Sequence, residues 1–170
     1  KGSNVDLLHV LFGSVLALDD PTLILLAGSA TVTLVFLALI MSVPIGILTA
    51  LYLTEIKGRF TAPIRFLVQA MSGVPSIVAG LFILSAILYP ITKSFSGFMG
   101  ALALTILMIP TIARTSEEVL NLIPNDLREA GVALGGTQWR TVAMIVLPAA
   151  KSGLITAVIL GVARIAGETA

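Results

Sequence analysis

Long apolar runs without charge most constrain how this chain can fold. About 20 apolar residues are enough to cross the hydrocarbon core of a bilayer. Three stretches of at least that length contain no Asp, Glu, Lys or Arg, namely 21–54, 66–92 and 94–113. A fourth apolar stretch follows Lys151 and carries only Arg164 and Glu168. Because a chain inside lipid must pair its own backbone polar groups, we predict spanning helices at about 28–53, 65–89, 97–113 and 152–170.

The composition independently indicates a membrane protein. Hydrophobic residues make up 57% of the chain, charged residues 11%, and the mean hydropathy is +1.07. Soluble domains carry roughly 25% charged residues. A net charge of +1 with no basic cluster excludes an electrostatic nucleic-acid binder. With no cysteine and a single histidine, the chain has neither a disulfide framework nor a thiolate or histidine metal site.

Basic residues in the short connections predict the orientation, because they are retained on the cytoplasmic side. The second connection carries Lys93 alone. The first and third connections are richer in basic residues, namely Lys57, Arg59, Arg65, Arg114, Arg128, Arg140 and Lys151. We therefore expect the loop 114–151 to face the cytoplasm. Residues 1–27 are interpreted as an external or interfacial segment, and we expect one further helix before this chain and one after it.

The first two predicted spans each contain a proline, and in the second span a glycine and two serines lie close to it. Pro44 and Pro75 are interpreted as kinks, which a membrane bundle tolerates when neighbouring groups satisfy the freed carbonyls. The run Ser72-Gly-Val-Pro-Ser76 has a second interpretation, the start of a half-helix. In that case its free N–H groups and the hydroxyls of Ser72 and Ser76 would face an anionic substrate. The sequence leaves both interpretations open.

The loop 114–151 carries signals for two short helices. Asp126 with Glu129 is typical of a capping box, and Gly135 supplies a left-handed stop. Thr137 is expected to cap a second helix that runs toward Leu147-Pro148. Apolar side chains recur every three or four residues, at Leu120, Ile123, Leu127, Ala130 and Leu134. The apolar face predicts either packing on the chain's own bundle or docking in a partner's groove.

Arg164 and Glu168 are ionisable residues predicted to lie inside the membrane. An Arg or Glu near the bilayer centre costs about 3 kcal/mol even on the lenient insertion scale. Their i, i+4 spacing puts both on one helix face, within reach of each other. They either neutralise each other or line a polar pathway in which Arg164 meets an oxyanion and Glu168 orients or releases it.

The loop also resembles a known coupling motif. Its spacing is similar to the EAA loop, Glu-Ala-Ala-x3-Gly-x9-Ile-x-Leu-Pro, by which membrane subunits of ABC importers dock onto their ATPase subunits. Gly131 stands where that family prefers Ala. The remaining matched positions are Glu129, Ala130, Gly135, Ile145, Leu147 and Pro148. The resemblance implies that these residues couple the chain to an ATPase.

Further runs narrow the resemblance to the permease subunits of bacterial phosphate ABC importers, of the PstA type. They are 72–80, 114–118, 124–129 and 163–170, and the similarity covers roughly residues 30–170. It implies an all-α, polytopic bundle of the type I ABC importer permease kind in the bacterial inner membrane, with 28–170 as a partial permease domain. The implied partners are membrane lipid, two ATPase copies that bind ATP and Mg, a second related permease, and a periplasmic or lipid-anchored phosphate-binding protein. Arg164 and Glu168 correspond to charged residues of that family's phosphate pathway.

The sequence contains no signature of an enzyme. It has no G-x-x-x-x-G-K-[ST] loop for ATP, no H-E-x-x-H and no G-x-S-x-G. We therefore predict a permease subunit without catalytic residues or cofactors of its own. Two alternatives stay open: a permease for another oxyanion or small solute, and a non-transporting membrane scaffold, which would not need Arg164 and Glu168 at depth.

Overall fold

The fold consists of helices that run up and down one bundle. The computed structural model describes residues 21–56, 58–86 and 97–169. Its α-helices are α1 (Pro21–Glu55), α2 (Thr61–Ser72), α3 (Ser76–Ile83), α4 (Gly97–Asn121), α5 (Asn125–Ala133), α6 (Gln138–Thr141) and α7 (Leu147–Thr169). A π-helical turn, Val142–Val146, joins α6 to α7. The all-α class is confirmed. Residues 1–20, and with them most of the predicted external segment, lie outside the described residues.

Three of the described helices are long and apolar enough to cross a bilayer, at Ile24–Glu55, Gly97–Asn121 and Gln138–Gly167. Two predicted boundaries were wrong. The first helix already includes Pro21, ahead of the predicted start at 28. The helix predicted to end at 113 continues to Asn121, because its charged residues alternate with the buried Ser116 and Leu120.

The second predicted span is broken into two helices. α2 and the segment Ser76–Ala86 meet at 104°. Pro75 lies at the break with φ −60° and ψ 140°, extended backbone that cannot continue a helix. A single helix over 65–89 is therefore a wrong prediction, and the half-helix start at Ser76 is the alternative that the structure supports; residues 87–89 lie outside the described part.

The core lies where α1, α4 and α7 meet. Gly46 of α1 and Gly161 of α7 both face Ile112 of α4, and a Cβ on either glycine would lie within 2.9 Å of that side chain. Gly153 faces Val119 in the same way, with the Val119 Cβ 3.3 Å from such an atom. Small residues at these points let the helix backbones approach closely, as in other membrane bundles. The helices are therefore held in register by steric fit around the middle of α4.

The predicted cytoplasmic loop is more helical than expected. α5 begins at Asn125, and the residue before it is Pro124 with no side-chain cap, so the capping role of Asp126 is wrong. Asp126 instead lies in the first turn, where a carboxylate favours the helix dipole. Two other predictions are confirmed: Gly135 has φ +83°, and the Thr137 hydroxyl accepts a hydrogen bond from the Arg140 N–H.

No separate second helix ends at Leu147-Pro148. α6, the π turn and α7 form one helical path from Gln138 into the last span. Pro148 comes directly after the π turn, where the regular i→i−4 hydrogen-bond ladder is already interrupted, so its missing N–H is tolerated inside this path. The start of the last span was therefore predicted too late, at 152. The continuity means that a displacement at α6 acts directly on the final membrane helix.

Candidate functional site

Gly131 is the packing centre of the predicted coupling region. It is buried, and a Cβ at this position would lie 2.8 Å from the Thr141 hydroxyl and 2.9 Å from Ile145 Cδ1. α5 therefore rests on α6 and the π turn through a glycine. Glu129 and Ala130, the other two residues of the motif, are exposed. The motif thus divides into one residue that packs inward and two that face outward.

The second half of the motif lies at the start of α7. Leu147 is half-buried and packs against the cluster formed by Ala50, Leu120, Val142 and Val146. Pro148 is exposed. Gly135 is exposed too, and its positive φ closes α5 and turns the chain back toward α6. These positions shape the turn and seat it on the bundle.

Arg128 connects α5 by hydrogen bonds to the ends of two spans. Its Nε donates to Glu55 Oε1 at 3.0 Å, and Glu55 is the last residue of α1. Its terminal nitrogens donate to the carbonyls of Leu120 at 2.9 Å and Ile123 at 2.8 Å. Leu120 lies in the last turn of α4 and Ile123 in the turn that follows, so Arg128 binds carbonyls at the C-terminal end of α4. One side chain therefore joins α5 to both α1 and α4.

Glu55 also binds α6. The Gln138 side-chain amide donates to the Glu55 carbonyl at 3.2 Å. With Arg128, Glu129, Val132 and Thr141, among others, these residues line a cavity of about 600 Å³ between α5 and α6. The C-terminal ends of α1 and α4 thus lie at the same end as α5, which agrees with the predicted alternation of the spans.

Several large apolar side chains at this end of the molecule face outward. Leu134 is 88% exposed, Met144 65% and Trp139 62%, and Leu127 and Val132 are also exposed. Large apolar side chains that are exposed at the end of the spans are candidates for an interaction surface. Of the predicted apolar face, Leu120 and Ile123 turn toward the bundle, whereas Leu127, Ala130 and Leu134 are left uncovered by this chain.

Arg164 lies on an exposed face of α7, beside α4. Its Nη1 donates to the Thr111 hydroxyl at 3.2 Å. Thr111 lies about 15 Å along the axis from Asn121, the end of α4. The Arg164 side chain is exposed at the surface of this chain. The side chain of Glu168 lies outside the described residues, so its pairing with Arg164 stays a prediction.

The two serines predicted for the pathway lie on either side of the break between α2 and α3. The Ser72 hydroxyl donates to the Gln69 carbonyl of its own helix at 2.7 Å. Ser76 is half-buried at the first position of α3. Within the described ranges no hydrogen bond joins either serine to Arg164. The structure thus supports the break that the serines flank, and their role in a pathway stays a prediction.

Sequence reasoning missed Glu55, Thr111 and Gln138. Glu55 ends a long charge-free run, which is a visible signal for a boundary but not for a partner. Its partner Arg128 lies 73 positions later, and a separation of that size carries no local pattern. Thr111 follows Pro110 in an apolar helix and looks like any other small polar residue of a span.

Comparison with known proteins identifies relatives of this chain. The "Phosphate transport system permease protein PstA" of Pasteurella multocida is 42% identical over 172 residues, which cover 99% of this chain and 55% of that protein. The protein of the same name in Haemophilus influenzae is 49% identical over 129 residues (75% of this chain, 45% of that protein). "Phosphate transport system permease protein PstA 1" of Mycobacterium tuberculosis is 44% identical over 134 residues (78% and 44%). The chain spans about half the length of these relatives.

A solved structure and a family model also resemble this chain. An inward-facing form of the MetNI methionine ABC transporter superposes with a TM-score of 0.69 at 23% identity, covering 84% of this chain and 68% of that one. At that identity the likeness shows the fold, a type I ABC importer permease bundle. The model of the binding-protein-dependent transport system inner membrane component matches residues 42–170. The chain is therefore a multi-pass membrane protein that belongs to the family of binding-protein-dependent transport system inner membrane components.

Proposed function

We propose that this chain is the core of a permease subunit in an ATP-driven importer of inorganic phosphate. The observation that carries the proposal is the 42% identity, over 99% of the chain, to a protein named for phosphate transport. The position of Arg164 supports it, because an oxyanion needs a cation and Arg164 provides one on α7 beside Thr111 of α4. A scaffold would have no use for an arginine that costs about 3 kcal/mol to place there.

In this proposal the chain contributes binding and movement rather than chemistry. Arg164 meets the phosphate, and Glu168 orients it or helps to release it. The break at Pro75 leaves backbone N–H groups at the start of α3 beside Ser76, which suits a pathway for an anion. α5 docks in a groove of an ATPase subunit that binds ATP and Mg. A second permease and a phosphate-binding protein complete the transporter.

The test is phosphate uptake by the assembled transporter with and without Arg164. The full-length permease is expressed with its ATPase, its paired permease and its binding protein, and radiolabelled phosphate uptake is measured. Arg164→Met should abolish uptake while the ATPase subunit still co-purifies, because Arg164 lies far from α5. Thr156→Val is the matched control, since the Thr156 hydroxyl only donates to Ser152 of its own helix.

The double change Arg164→Met with Glu168→Met separates the two interpretations of these charges. If the pair only neutralises itself, apolar replacements should preserve assembly and uptake, as buried pairs often allow. If Arg164 meets phosphate, the double variant should assemble and remain inactive. Near-normal uptake would refute the pathway role. Strong competition by sulfate or molybdate, with no saturation by phosphate, would assign the permease to another oxyanion.

A further inference from the structure

The end of α1 forms a buried polar joint with α5 and α6. The joint consists of Glu55, Arg128 and Gln138. The Glu55 side chain is 5% exposed and accepts from Arg128 at 3.0 Å, while its carbonyl accepts from Gln138 at 3.2 Å. Glu55 and Gln138 lie outside every motif matched above. Burying a carboxylate is costly unless it is paired, so the geometry around it must be well defined.

The joint links elements that otherwise have little contact. α5 packs chiefly on α6 and the π turn, through Gly131, Thr141 and Ile145. Its connection to α1 and α4 passes through Arg128, which binds Glu55 and the last carbonyls of α4. α6 reaches α1 through Gln138. A displacement of α5 therefore reaches the end of α1 through this side chain, and it reaches the end of α4 both through this side chain and through the short turn 122–124.

We infer that Glu55, Arg128 and Gln138 act as positioning residues that transmit motion of α5 to the membrane spans, with Glu55 as the shared acceptor. None of them needs to touch the ATPase or the transported solute for this role. The inference rests on the proposed function, because it assumes that α5 is moved by an ATPase partner. It goes beyond docking, since it specifies how the motion leaves α5 and enters α1.

The test compares transport with ATP hydrolysis in the full-length, assembled transporter. Glu55→Gln keeps the shape and one acceptor but removes the charge that holds Arg128. Phosphate taken up per ATP hydrolysed should fall about tenfold, which is within the usual range for a coupling between two sites. The ATPase subunit should still co-purify in full amount. Glu118→Gln is the control, because Glu118 makes the same kind of pair with Arg114 at 3.6 Å on the exposed surface of α4.

A second variant decides the matter if Glu55→Gln fails to assemble. Gln138→Met removes one bond of the joint at an exposed position and should lower the same ratio about threefold, near the lower end of coupling effects. Suppose that Glu55→Gln fails to assemble and that Gln138→Met leaves the phosphate taken up per ATP hydrolysed unchanged. The joint would then have only a structural role. An unchanged ratio in an assembled Glu55→Gln transporter would overturn the inference directly.

A covalent bridge tests whether linkage itself is the function. Residues 1–170 contain no cysteine, so Glu55→Cys with Arg128→Cys introduces one unique pair in a full-length transporter whose other cysteines have been replaced. Joining the two thiols with a short bifunctional reagent should restore much of the lost ratio, whereas the unbridged pair should stay uncoupled. A bridged transporter that stays as uncoupled as the unbridged one would contradict a mechanical role.

The experiments distinguish an error in the proposed function, phosphate import, from an error in the inferred role of the joint. A wild-type transporter that takes up no phosphate would refute the proposed function. Coupling through the joint is then measured as the factor by which the binding protein stimulates ATP hydrolysis. This measurement depends on coupling but does not require that the transported solute be known. That factor should fall in Glu55→Gln and Gln138→Met and stay unchanged in Glu118→Gln.

Discussion

At the scale of single residues, Gly131 explains the departure from the coupling motif. The pattern prefers Ala at this position, and a Cβ here would meet the Thr141 hydroxyl at 2.8 Å and Ile145 at 2.9 Å. Among the described residues, none forms a hydrogen bond with the buried Thr141 hydroxyl. The space that a methyl group would need is thus taken by the neighbouring threonine. Gly131 and Thr141 are expected to be energetically coupled.

Gly131→Ala should therefore lower the free energy of unfolding by about 1–3 kcal/mol, the usual cost of overpacking. Adding Thr141→Ala removes both the crowding and an unsatisfied hydroxyl, so the double variant should regain most of that loss. The free energies of unfolding in detergent of the wild type, the two single variants and the double variant together form a double-mutant cycle. Gly80→Ala serves as the control because nothing lies within 4 Å of a Cβ there. Additive effects of the two changes would contradict the steric explanation.

Residue types predicted the local signals of the site but not its long-range pairs. The left-handed turn at Gly135 and the cap at Thr137 were predictable, because each depends on neighbours within a few positions. The position of Asp126 was not predictable in this way, because the helix begins directly after Pro124 and the Asp126 carboxylate therefore lies in its first turn. The pairs Glu55–Arg128 and Thr111–Arg164 depend on how distant helices pack.

At the scale of helices, charge proved a weaker guide to boundaries than packing. α4 continues through Arg114 and Glu118 because Leu120 packs with Ala50 and Val146 at the end of the bundle. The charge-free runs predicted the approximate positions of the spans, because long apolar runs leave few alternatives in lipid, but not their ends. The break at Pro75 was open in the sequence, since proline is compatible with both a kink and a stop.

Packing of α1 on α4 through Gly46 should be the most sensitive helix contact. Gly46→Val would place its Cβ 2.8 Å from Ile112 Cγ2 and force the helices apart. We expect a loss of about 1–3 kcal/mol in stability. Gly28→Val makes the same change on the same helix where nothing lies within 4 Å, so it should remain within about 0.5 kcal/mol. Thermal unfolding in detergent compares the two, and equal losses would show that helix propensity rather than packing dominates.

At the scale of the whole molecule, the two candidate regions are separated along the bundle. The exposed apolar side chains of the coupling region lie at one end, and Arg164 lies about 15 Å inward of that end, beside Thr111. α7 connects them, because the path from Gln138 to Gly167 is continuous. If α5 docks on a partner and Arg164 meets the solute, as proposed, this helical path would connect the two regions, because it begins beside α5 and carries Arg164.

Separation of the regions predicts that docking and solute passage can be disrupted independently. Leu134→Asp puts a charge on the most exposed large apolar side chain of the coupling region, 88% exposed and therefore unimportant for packing within this chain. The ATPase subunit should be lost from the purified complex, and uptake should fall with it, because burying an unpaired carboxylate at an interface is costly. Leu122→Asp is the control, a residue 81% exposed in the turn between α4 and α5. Co-purification and solute uptake are measured together with thermal stability, which should be unchanged in both variants. Full retention of the ATPase in Leu134→Asp would remove Leu134 from the docking surface, whereas loss in both variants would extend that surface to the end of α4.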